Sequence, residues 1–83
     1  MKTYEFDVIL NGVHEVTDEL ADALFNAGCD DGTFVSRDGM AWVHFDREAA
    51  SLEIAIRSAV SQVQSTGLVV SKIELDAAAA VSV

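Results

Sequence analysis

From Tyr4 to Leu10 the chain alternates, with Tyr4, Phe6, Val8 and Leu10 set against Glu5, Asp7 and Ile9. A period of two assigns the first set to the buried face of a strand. Asn11-Gly12 marks a turn, and Thr17 is placed to cap a helix with Asp18 and Glu19 at its positive end. Leu20, Ala23, Leu24 and Ala27 then recur at helical spacing, and Gly28 sits where a left-handed residue closes a helix. After a loop from Cys29 to Gly32, the β-formers Thr33, Phe34 and Val35 open a second strand ending at Arg37. Asp38-Gly39 is a hairpin signal, because both residues tolerate positive φ, and a third strand follows from Met40 to Asp46. Ser51 caps a second helix carrying a stripe of Leu52, Ala55, Ile56, Ala59, Val60 and Val63, with Glu53 and Arg57 paired on its outer surface. Gly67 ends it, and Leu68 to Leu75 reads as the closing strand.

The predicted order is β-α-β-β-α-β. Each helix has one apolar stripe and lies between two strands, so both must cover the same face of the sheet. Right-handed crossovers then give an α+β, ferredoxin-like sandwich: a four-stranded antiparallel sheet, its first and third strands central, with two helices on one face. Residues 1–76 are expected to form this domain. Residues 77–83 show no caps or periodicity and read as a flexible tail or part of an interface.

Eighty-three residues leave room for one core, and a hydrophobic content of 51% is enough to fill it. Fourteen acidic residues against five basic ones give a net charge of -9, which repels phosphate chains and anionic lipid heads. Direct nucleic-acid binding is therefore not expected. Cys29 is the single cysteine, which excludes an internal disulfide and a cysteine-based zinc cluster and suits a reducing cytoplasm. Neither a leader pattern nor a membrane-length apolar run occurs, so no membrane partner is expected.

Candidate chemistry is sparse. Cys29, Asp30 and Asp31 follow the first helix while His14 precedes it, and a helix roughly 18 Å long separates them. The two carboxylates read as solvated loop groups and Cys29 as a small, partly buried apolar residue. His44 has no nucleophile or carboxylate-plus-serine arrangement in its local sequence, and no phosphate loop, dinucleotide fingerprint or HExxH is present. No enzyme activity, metal or cofactor is expected. If Ala41, Val43 and Phe45 point inward, however, Met40, Trp42 and His44 point outward, with Asp7 and Glu5 beside them. Met40, Trp42 and Ile9 are candidates for an apolar contact patch; a flat indole shielded by Lys72 or Arg37 is the structural alternative. Phe34 and Val35 on the second strand leave a poorly protected sheet edge, whereas Lys72 and Glu74 charge the last strand.

Gly39-Met40-Ala41-Trp42-Val43-His44-Phe45 resembles the RNP1 box of RNA-recognition motifs. It departs from that box where RNA is touched: Asp38 replaces the basic residue, Met40 the first stacking aromatic, and Asp7 the aromatic of the first strand. A second resemblance covers most of the chain. Thr17-Asp18-Glu19-Leu20-Ala21-Asp22-Ala23-Leu24-Phe25, Ala27-Gly28-Cys29-Asp30-Asp31 and Phe45-Asp46-Arg47-Glu48-Ala49-Ala50-Ser51-Leu52-Glu53 are similar to segments of small bacterial proteins in which such a domain precedes a helix-turn-helix DNA-binding segment. That resemblance implies an accessory or dimerisation domain of a DNA-binding regulator. These 83 residues carry no helix-turn-helix, so the domain either works alone or has its reader module supplied elsewhere.

The function expected is a non-catalytic interaction module of a bacterial cytoplasmic protein, binding a second copy of itself or another protein. The competing class is a small-ligand sensor like the ACT domains of the same topology, with Asn11-Gly12 as its loop motif; an RNA-recognition-like single-strand binder comes after it.

Overall fold

A computed structural model of the chain describes residues 2–13 and 17–75, so His14 and the tail 77–83 lie outside the described residues. The elements are β1 (Lys2–Asn11), α1 (Asp18–Asn26), β2 (Gly32–Arg37), β3 (Met40–Ala49), α2 (Leu52–Gln64) and β4 (Val69–Leu75). The strands form one sheet in the order β2-β3-β1-β4 with every neighbouring pair antiparallel. The architecture is α+β, with the predicted β-α-β-β-α-β order.

Local chemistry explains the boundaries. The Thr17 hydroxyl accepts from the Leu20 N–H at 3.2 Å and the Ser51 hydroxyl from the Ile54 N–H at 3.2 Å, satisfying donors that the first turn of each helix leaves free. In the β2–β3 hairpin Asp38 has φ 53° and Gly39 φ 76°, the double left-handed turn whose twist matches the flanking strands. Gly28 leaves α1 at φ 106°, where a Cβ would also lie 2.7 Å from the Gln62 amide nitrogen of α2.

Phe6, Val8 and Leu10 of β1 face the same side as Ala41, Val43, Phe45 and Ala49 of β3, and they form one buried cluster with Leu24, Ala55, Ala59 and Val63 from the helices. Both helices therefore lie on one face. Phe6 and Phe45 are directly opposed and stack with ring centroids 5.5 Å apart. The α2 stripe is as the spacing predicts: Ala55, Ala59 and Val63 are buried, while Leu52, Ile56 and Val60 are half-buried at its margins. The α1 stripe is narrower than predicted. Leu24 is buried and Leu20 half-buried, but Ala23 is exposed, since a nine-residue helix touches the sheet along little more than one turn.

β3 runs to Ala49, past the predicted end at Asp46. The continuation is built around Arg47, which points inward and is 7% exposed. Its Nε and Nη2 donate to the two Asp31 carboxylate oxygens at 2.8 and 2.7 Å, Nη1 donates to the Ser58 hydroxyl at 3.0 Å, and Nη2 also donates to the Gly28 carbonyl at 3.2 Å. The guanidinium lies 4.9 Å from the Phe45 ring centroid. Asp31 is thus not the solvated loop carboxylate predicted from sequence. It pairs with the buried cation and fixes the α1–β2 loop to β3, while Ser58 links the same cation to α2. The paired guanidinium holds the Asp31 carboxyl below its ordinary range, against the opposing effect of burial.

Candidate functional site

Among the described residues no helix packs on the other face of the sheet, so strand register alone decides what that face presents. Val35 opposes Trp42, Trp42 opposes Ile9 and Ile9 opposes Lys72, which makes one row across all four strands. The next row is Thr33, His44, Asp7 and Glu74, and beyond it Asp46 faces Glu5. On the opposite side of the apolar row, Met40 pairs with Arg37. The face therefore has an apolar band one row from the end of its central strands, a strongly acidic half on one side of that band, and the Met40 and Arg37 pair on the other.

The expected contact residues divide accordingly. Met40 is 48% exposed, and Trp42, Val35 and His44 are half-buried on this face. Ile9 belongs to the same row but is only 5% exposed, so it forms the floor of the band between Trp42 and Lys72 instead of a contact surface. Phe34, expected at the β2 edge, opposes Val43 and packs against the main core, so its side chain is not part of the open face. Lys72 and Glu74 pair at 3.1 Å on the β4 side. At that exposure the pair contributes little stability.

The acidic half is organised around His44. Its Nδ1 lies 2.6 Å from an Asp7 carboxylate oxygen directly across the strands. Its Nε2 faces Glu5 Oε1 at 3.7 Å and Asp46 Oδ1 at 3.6 Å. The hydrogen bond with Asp7 raises the proton affinity of the imidazole; partial burial opposes it, and the surrounding Asp7, Asp46 and Glu5 charges reinforce it. Because β3 and β1 are the two central strands, all four side chains project from the best-fixed part of the sheet. Sequence reasoning placed Asp7 and Glu5 beside His44 but did not pair them with it. Asp46 was also missed, although its position two residues after His44 puts it on the same face.

Cys29 is buried, and burial pushes its thiol up against the opposing charge of Arg47, so little thiolate is present at neutral pH. It packs in the core with Leu24 and Phe45. No described helix is long and apolar enough to cross a membrane. No family model, curated protein or solved structure matches the chain.

Proposed function

We propose that this chain is a non-catalytic interaction module with a ferredoxin-like fold, and that two copies associate through the open sheet face. The strand order β2-β3-β1-β4, with each helix connecting strands that have another between them, supports the fold assignment. The single observation that carries the functional reading is the apolar band of Val35, Trp42 and Ile9, flanked by exposed Met40, in a face whose other half is acidic.

A second copy is the occupant that this pattern suits. A two-fold axis running along the band sets band against band and brings the Arg37 and Met40 end of one copy over the acidic half of the other. Strands of 10, 6, 10 and 7 residues, at about 3.3 Å per residue and about 4.8 Å apart, offer a face on the order of 500 Å², below the roughly 800 Å² per partner of a standard interface. Net charge of -9 on each copy opposes the contact, so added salt strengthens it. Resemblance to domains preceding helix-turn-helix segments adds the bacterial, regulatory part of this proposal.

Light scattering from micromolar to millimolar protein tests it. The expected result is a dimer that forms more readily at high salt and is lost in Trp42→Ala. A monomer under every condition removes the reading. A dimer that persists in Trp42→Ala moves the contact to the β2 edge.

A further inference from the structure

We propose that Glu5, His44 and Asp46 form a binding site for one divalent cation of the zinc type, with Asp7 orienting the histidine. The site does not depend on self-association. It rests first on geometry: one donor atom from each of the three side chains lies within 4.8 Å of the other two. The separations from His44 Nε2 are 3.7 Å to Glu5 and 3.6 Å to Asp46. Two ligand bonds of about 2.1 Å at a tetrahedral angle span about 3.4 Å, so small rotations of exposed carboxylates bring the three donors onto one ion.

The second support is the tautomer. Metal-bound histidines almost always donate their other ring N–H to a carboxylate or carbonyl, which turns the free nitrogen toward the ion and increases its basicity. Asp7 at 2.6 Å from Nδ1 is such a partner, and the nitrogen it leaves available is the one facing Glu5 and Asp46. The arrangement is thus more than a group of acids, because it contains one directed nitrogen donor. It is also built on a rigid frame, since Asp7 opposes His44 and Glu5 opposes Asp46 across the two central strands.

Donor chemistry identifies the class of ion. An imidazole nitrogen favours zinc, nickel or copper over magnesium and calcium, which prefer all-oxygen shells. Two carboxylates neutralise the dication, and a three-donor set leaves positions for water or for a group from a bound partner. The competing arrangement is an imidazolium ion-paired with the same carboxylates, and it predicts no saturable metal uptake.

Calorimetric titration of the full, untagged, chelator-treated chain with Zn²⁺ decides between them. It should be run at protein concentrations where light scattering shows a monomer, so that loss of self-association and loss of metal binding are read separately. The expected result is one saturable equivalent, undiminished by excess Mg²⁺. His44→Gln should abolish it, and Asp7→Asn should weaken it roughly 10–100-fold. Glu74→Gln should leave it unchanged. Circular dichroism establishes that each variant is folded; should His44→Gln fail that check, Glu5→Gln and Asp46→Asn must show the loss in its place. No saturable uptake, equal affinity in His44→Gln, or displacement of Zn²⁺ by Mg²⁺ overturns the site.

Discussion

Replacing Asp31 with alanine strands the buried guanidinium of Arg47. The carboxylate supplies two of the four hydrogen bonds that Arg47 donates, both of them charge-assisted. Removing one partner of a buried ion pair costs about 3–5 kcal/mol. Here Ser58 and the Gly28 carbonyl still hold the cation, and 31% of the Asp31 side chain reaches solvent, so the lower limit of about 3 kcal/mol applies. Total stability for a domain of this length is roughly 4–12 kcal/mol. With a urea dependence of about 1 kcal/mol/M, the midpoint falls by roughly 3 M. The double variant Asp31→Ala/Arg47→Met removes the cation together with its partner and should recover most of the loss. The pH dependence has a definite sign. Asp31 has a folded value below its unfolded value of about 3.9, so its stabilisation is complete above that value and is lost as pH falls through the lower, folded one. The parent chain should therefore lose stability more steeply than Asp31→Ala below about pH 4. A single variant that costs less than about 1 kcal/mol, or a double variant as unstable as the single one, would refute this account of Arg47.

Three further outcomes follow from the same contacts. Ile56→Ala should cost about 2 kcal/mol, the lower limit for an isoleucine truncation, because Ile56 lies at the half-buried margin of the α2 stripe; a melting temperature within a degree of the parent would show that α2 packs on another face. Gly39→Ala meets no neighbour within 4 Å, so its expected cost of about 1 kcal/mol is backbone strain alone at φ 76°, readable as a shift in urea midpoint; no shift would mean the hairpin turn is not left-handed in solution. Filter retention with single-stranded RNA and duplex DNA should give no binding at physiological salt, since Glu5, Asp7, Asp46 and Glu74 share the face with Trp42; retention abolished by Trp42→Ala would restore the RNA-recognition reading.

Elements encoded locally were legible in the sequence. The α2 stripe, both hydroxyl caps and the Asp38-Gly39 hairpin each depend on residues within a turn or two of one another, and each is found where its spacing predicts. What escaped was decided by register. Asp46-Arg47-Glu48 looks like a polar end to a strand; Arg47 shares the inward parity of Ala41, Val43 and Phe45, but nothing nearby reveals that it meets a carboxylate sixteen residues earlier. Ile9 has the parity of an exposed residue, and its burial arises from sitting between Trp42 and Lys72 on two other strands. His44 is similar. Its local sequence offers only Asp46, two residues on, and its contacts with Asp7 and Glu5 exist only once β1 and β3 pair in this register.

Whether the open face is a self-association surface can be read by mixing isotope-labelled with unlabelled chains at high salt and millimolar concentration. Intermolecular nuclear Overhauser contacts should be recorded from the Trp42 indole. The account predicts contacts from Trp42 to the Met40 and Val35 methyl groups of the other copy. Intermolecular contacts confined to the β2 backbone, or none at all, would contradict it.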